Sequence, residues 1–416
     1  MSLTRRIFLR NSALAVVGTT AVPSFLTRAA FGAVESGGLA NKRLVVIFQR
    51  GAADGLNIVV PHAEAQYYAM RPSINIPRKS VIDLNGFFGL HPSLASFQPL
   101  WQQGHLAIVH AAGSPDTTRS HFDAQDFMET GTPGVKATDD GWLNRSLRNL
   151  PFAAQKPSAF RAIALGPSLP RILSGSEPAV AMNNINDFSV GGKNPKASPA
   201  ASAFEAMYDH SSDSVLHGTG EETFDAVKML KAADPGKYTP AAGANYPKGR
   251  FGDSLRQLAQ LIKANLGVQV AFADIGGWDH HVNEGSTEGQ LANVLGDFSQ
   301  SIAAFWTDLG DLGEDTVVVT MSEFGRTARE NGNRGTDHGH ANVMFVLGGP
   351  VKGGKVYGRW PGLADSQLYE GRDLALTTDF RQVIGEAVAQ HLGNKNLANV
   401  FPGFDNQPGK FLSLLG

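Results

Sequence analysis

Two short segments concentrate groups that bind metals. Gly335-Thr336-Asp337-His338-Gly339-His340 places an aspartate and two histidines within four residues, and Trp278-Asp279-His280-His281 adds one aspartate and two histidines more. Carboxylate oxygen and imidazole nitrogen together suit a divalent ion such as Zn, Mn, Fe or Ca better than a soft metal. In an extended segment alternate side chains point the same way, so Asp279 and His281 form the natural ligand pair while His280 points elsewhere. In the other segment Asp337, His338 and His340 are all candidate ligands. Asp54 and Glu323 join them as isolated acids. Alone, Asp54 reads as the cap of the next helix or as a residue holding its turn, and Glu323 as the partner of Arg326 in a surface pair.

A hydroxyl next to such a centre could attack an ester. Ser120 is the candidate nucleophile, because a nearby cation stabilises the alkoxide form. Arg119 and Arg326 could then hold a tetrahedral oxyanion through two parallel hydrogen bonds each. Ser120 also reads as the N-cap of a helix beginning at His121, with Asp123 in its first turn. The two roles are compatible, since a helix N-terminus favours anions. Thr117 and Thr118 are rival hydroxyls.

Positioning these groups requires a frame. Six continuous apolar runs read as buried strands: 44–48, 106–111, 161–165, 268–273, 316–320 and 343–347. Helical spacing appears at 92–102, 251–266, 290–309 and 379–392. Alternation of such strands and helices predicts an α/β fold with a largely parallel or mixed central sheet sandwiched by helices. The polar clusters fall just after the strands, where loops of an open α/β sheet converge into a site. Residues 166–247 are rich in Ser, Asn, Gly, Pro and Ala and hold one clear helical pattern, 222–233. That stretch is expected to be an irregular insertion or cap on a single domain spanning 34–416. Met321 and Phe324 read as core and His91, before Pro92, as a turn residue.

Thr4-Arg5-Arg6-Ile7-Phe8-Leu9-Arg10 precedes a short apolar stretch from Ser12 to Phe25. This order of charge, apolar run and small residues predicts a twin-arginine export signal over 1–33. The expected partner is the twin-arginine export machinery, and the expected location is periplasmic or extracellular. Removing 1–33 takes away Arg5, Arg6, Arg10 and Arg28 and no acid, so the formal charge moves from −2 by four to −6. An acidic chain without a Lys/Arg block does not suit nucleic acid. No later apolar run is long enough for a stable membrane span. Without cysteine there can be no disulfide, no thiolate metal site and no cysteine nucleophile.

The same residues carry a family resemblance. Arg50-Gly51-Ala52-Ala53-Asp54-Gly55, Arg119-Ser120-His121-Phe122-Asp123, Gly277-Trp278-Asp279-His280-His281 and Ser322-Glu323-Phe324-Gly325-Arg326 lead on to Gly335–His340 in order. With the twin-arginine signal, the chain resembles the exported bacterial proteins called domain of unknown function 1501. The resemblance implies an alkaline-phosphatase-like or sulfatase-like fold, with a Ser, Thr or modified Cys nucleophile between two metals. It implies Asp54 as the first-strand metal ligand, Ser120 as nucleophile, Asp279 and His281 as one metal's pair, and His338 or His340 as its third ligand. Glu323 stands where related enzymes have aspartate followed by histidine, but Phe324 occupies the histidine position. No Cys/Ser-x-Pro-x-Arg signature occurs, so a formylglycine sulfatase is not expected. The expected function is hydrolysis of a small-molecule or glycan phosphate or sulfate ester with one or two divalent ions, Zn, Mn or Ca. The alternative is a non-catalytic, metal-containing binding or assembly protein of the cell envelope.

Overall fold

The computed structural model describes residues 41–148, 150, 158–185, 238–405 and 408–416, and the fold is that of the unit Lys42–Gly416. The signal segment, the 222–233 helix and most of the expected insertion lie outside the described residues. Twelve strands are present among those described. In chain order they are β1 (Arg43–Gln49), β2 (Val59–Val60), β3 (Ile82–Asp83), β4 (Gly89–Leu90), β5 (Leu106–Gly113) and β6 (Ala162–Leu165). There follow β7 (Val180–Met182), β8 (Val270–Ile275), β9 (Thr316–Ser322), β10 (Asn342–Gly348), β11 (Lys355–Tyr357) and β12 (Thr378–Asp379).

Nine of them form the central sheet in the order β11-β5-β10-β9-β1-β8-β6-β7, with β12 against β5. β1 lies between β8 and β9, parallel to both, with Val46 level with Phe272 and Val319. β10 alone runs against its neighbours β9 and β5. The remaining three strands make a small separate antiparallel sheet, β2-β4-β3.

Continuous apolar runs belong on strands covered on both faces, because successive side chains alternate between the two sides. β1 divides accordingly. Val45 and Ile47 enter one core with Leu255, Leu258, Leu295, Phe298 and Phe305 of the helices Arg250–Lys263 and Gln290–Leu309. Leu44, Val46 and Phe48 enter the other with Trp142, Phe380, Val383 and Ile384. The result is a mixed α/β fold with a central, mostly parallel sheet flanked by helices. No described helix is long and apolar enough to cross a membrane.

Some expected elements change. The 92–102 pattern is not one helix: a 3-10 turn, Pro92–Phe97, kinks at Leu94 before the helix Gln98–Gln102 begins. Pro99 explains the break, since it offers no N–H and fits only the start of a helix. The first part of the expected insertion is sheet, because β7 extends the edge beside β6. Residues 238–246 are tied to the Gln290–Leu309 helix, where Ala241 N–H and the Tyr246 hydroxyl donate to Asp308 at 2.8 and 2.9 Å.

Candidate metal centre

The turns after β1, β5, β8 and β9 all leave the sheet at the same edge. Because β10 runs the other way, the residues before it arrive at that edge too, and this brings His338 to the loops that follow β5 and β8. Three ligand atoms there, His121 Nε2, Asp279 Oδ1 and His338 Nε2, lie within 4.8 Å of one another. His121 Nε2 is 3.0 Å from His338 Nε2, and each is 3.8 Å from Asp279 Oδ1. His281 Nε2 adjoins two of the three, at 3.0 Å from His338 Nε2 and 3.1 Å from Asp279 Oδ1.

The far side of each ring fixes what the near side offers. His121 Nδ1 meets Glu323 Oε1 at 2.8 Å, His338 Nδ1 meets the carbonyl of Arg119 at 2.8 Å, and His281 Nδ1 meets Asp337 Oδ1 at 3.1 Å. All three partners are acceptors, which assigns the proton to Nδ1 in each ring. A neutral imidazole that donates from Nδ1 presents a lone pair at Nε2. Lone pairs gathered this closely beside a carboxylate repel unless positive charge or a shared proton lies between them. Second-shell acceptors behind ligating histidines are also what a metal site requires. Tetrahedral bonds of 2.0–2.1 Å would separate donor atoms by roughly 3.3 Å. The observed separations of 3.0 to 3.8 Å bracket that value, so the residues fit a small divalent cation.

The electrostatics agree. Burial works against charge on Asp279, but the Arg326 hydrogen bond and its positive field hold the carboxyl below its usual range. Burial pushes the His338 imidazole down, against the hydrogen bond to the Arg119 carbonyl, and the Arg326 charge adds to that push, favouring the neutral ligand form. Burial also opposes ionisation of Glu323, yet the His121 hydrogen bond, together with those from Gln125 and Gly51, lowers its carboxyl.

Backbone pairing makes the centre rigid. Asn283 N–H and Glu284 N–H donate to the carbonyls of Asn333 and Arg334, both at 2.9 Å, and Thr336 N–H donates to that of His280 at 3.0 Å. Gly335 must be glycine, because a Cβ there would stand 2.4 Å from the His281 carbonyl carbon. Gly51 is constrained twice: its φ is +118°, and a Cβ would lie 2.9 Å from Asp279 N. It donates its N–H to Glu323 Oε1 at 2.8 Å, coupling the β1 turn to the centre.

Several residues singled out in the sequence have other tasks. Glu323 is not at the lone-pair centre: His121, Gln125 (2.9 Å) and Gly51 occupy Oε1, and Ser322 Oγ donates to Oε2 at 3.0 Å. Asp337 likewise stands behind His281 and accepts from Asn331 at 3.0 Å. Asp54 is buried, with both carboxylate oxygens taken by Arg71. His340 is buried and stacks on Tyr369, with ring centroids 4.6 Å apart. The Arg326 side chain is fully buried and is not held out for an oxyanion. Its guanidinium donates to Asp279 Oδ1 (2.7 Å) and to the carbonyls of Gly51, Ala52, Trp278 and Thr336. Arg119 donates to Glu370 and Asp373 at 2.7 and 2.8 Å. Ser120 is exposed and caps the His121–Thr130 helix, with Asp123 N–H 3.5 Å from its hydroxyl.

His121 is the residue that sequence reasoning passed over. It was visible only as the neighbour of Ser120, and as the first residue of a helix entering the sheet edge its side chain faces the centre. Among the comparisons, residues 41–400 match the model of a family described as a protein of unknown function, DUF1501. No curated protein matches the chain. A solved structure, the phosphonate monoester hydrolase of Agrobacterium radiobacter, aligns over 88% of this chain and 78% of its own. With 11% identity and a TM-score of 0.33, that likeness does not bear on the site.

Proposed function

The chain belongs to the DUF1501 family, and we propose that it is an exported, metal-dependent hydrolase of phosphate or sulfate esters. One observation carries the reading: three imidazoles, each with Nδ1 fixed on an acceptor, converge through Nε2 beside the Asp279 carboxylate. A bound divalent ion such as Zn or Mn would polarise the ester oxygen and stabilise charge developing on it. His121, Asp279 and His338 would hold the ion, with His281 adjoining, while Glu323, Asp337 and the Arg119 carbonyl keep the rings in register. Ser120 is the nucleophile in this reading. At 3.5 Å its cap contact is weak, so the exposed hydroxyl is free to turn toward a substrate. It also stands at the N-terminus of a ten-residue helix, whose unpaired N–H groups favour an anionic ester. Export by the twin-arginine route, and a workplace outside the cytoplasm, rest on the Arg5-Arg6 segment.

The test is turnover of aryl phosphate and aryl sulfate esters by protein stripped with a chelator and then reloaded with Zn or Mn. Activity should vanish on stripping and return on loading. Ser120→Ala should lower it at least about 10³-fold while metal binding persists.

A second reading, a binding protein built round the same metal, is favoured by Phe122 and Val282. These apolar residues follow His121 and His281 directly and are 90% and 50% exposed. An apolar rim of this kind suits a partner surface. Tight metal binding without turnover on any ester of the panel would favour it over the hydrolase.

A further inference from the structure

The hydrolase reading inherits from its family resemblance an expectation of one or two ions, with Asp54 as a ligand. The turn after β1 is built differently. Asp54 is 1% exposed, and Arg71 grips both of its oxygens, with Nη2 2.9 Å from Oδ1 and Nη1 on Oδ2. Arg71 is itself fully buried. Its remaining bonds run from Nε to the Ala328 carbonyl at 2.9 Å and from Nη2 to the Thr327 carbonyl at 2.8 Å. A guanidinium cannot shed its proton, so its positive charge is permanent.

The other acid in this pocket is equally occupied. Glu284, also fully buried, accepts from Asn57 Nδ2 at 3.0 Å and from Thr336 Oγ1 at 2.8 Å. Burial, and then the neighbouring Asp54 charge, push its carboxyl well above the usual range. The Asp54 carboxylate is therefore already matched by a buried cation on both of its oxygens. Asp279, the carboxylate of the β8 turn, has a buried guanidinium of its own in Arg326 but keeps an exposed side. His121 Nε2 and His338 Nε2 each lie 3.8 Å from its Oδ1, the oxygen that also accepts from Arg326. Room for an added dication thus exists at the histidines and not at Asp54.

We infer that this chain holds a single divalent ion, at His121, Asp279 and His338, and that the Arg71 guanidinium permanently fills the place at Asp54 where a second ion would sit. The inference rests on the metal-centre reading, and its test separates the two. Full-length processed protein is stripped, incubated with excess Zn²⁺, freed of loose metal by gel filtration and analysed for zinc per chain. The expected value is one equivalent. Asp54→Asn should keep that equivalent, whereas His338→Ala should lose it. Mn²⁺-loaded protein should give an isolated-ion electron paramagnetic resonance signal without exchange coupling, and this requires no variant to fold. Two equivalents with a coupled Mn²⁺ pair would overturn the single-ion inference and leave the metal centre standing. Zero equivalents would overturn both.

Discussion

Glu323 offers the sharpest perturbation, because its two oxygens can be altered separately. Oε1 receives Gly51 N–H, Gln125 Nε2 and His121 Nδ1, whereas Oε2 receives only the Ser322 hydroxyl. In Glu323→Gln the amide oxygen can keep the three donors on the Oε1 side. The new NH₂ then faces Ser322 Oγ, whose one proton is shared with the Gln49 carbonyl at 2.8 Å and can turn wholly to that carbonyl. The change therefore removes charge while keeping the hydrogen-bond count. A bond to a charged acceptor is worth about 1 kcal/mol more than one to a neutral acceptor. Weakening the orienter of His121 by that much should lower metal affinity about fivefold, close to the lower bound for second-shell losses. Glu323→Ala behaves differently. It strands three donors at a partly buried position, at a cost of about 1 kcal/mol each, so the metal-free protein should lose about 3 kcal/mol of stability. Zinc affinity against a competing chelator and urea unfolding of the stripped protein read the two effects. Wild-type affinity in Glu323→Gln would refute the orienting role. Wild-type stability in Glu323→Ala would refute the burial argument.

Two more outcomes follow from the geometry. Gly335→Ala forces a methyl into the His280–His281 backbone, so it should cost at least tenfold in metal affinity, measured by the same chelator competition; unchanged affinity would show that the loop adjusts freely. Burial pushes the imidazole of His391 down to about 4, and its Nε2 donates to the Arg43 carbonyl at 3.0 Å. The folded value lies below the unfolded value of about 6.5, so the unfolded chain binds the proton first. The associated stability is full above pH 6.5 and is lost as the pH falls toward 4, by at most about 3 kcal/mol. His391→Gln can keep the carbonyl contact without titrating. The stability gap between wild type and this variant, from urea unfolding, should therefore narrow from pH 7.5 to 4.5, and a constant gap would contradict the assignment.

Much of the frame was legible because burial on both faces leaves a direct mark: the six apolar runs all lie on strands of the central sheet. The reversed direction of β10 was not legible, since an apolar run carries no sign of its direction. Alternation, a local rule, pairs Asp279 with His281, and the two adjoin in the structure at 3.1 Å. Asp54 and Glu323 were placed correctly at strand ends, but their partners were not foreseeable. Arg71 lies 17 residues from Asp54, and Glu323 lies 202 residues from His121. Local sequence names the charged groups; only the fold decides which of them face each other. The same holds for Arg326, which looks like an oxyanion binder in sequence and is consumed by backbone carbonyls in the structure.

A divalent ion among His121, Asp279 and His338 would be visible by anomalous diffraction at the zinc edge from a zinc-loaded crystal. One strong peak is expected within bonding distance of His121 Nε2, Asp279 Oδ1 and His338 Nε2. A peak at Asp54, or no ordered peak among these histidines in fully loaded crystals, would contradict it.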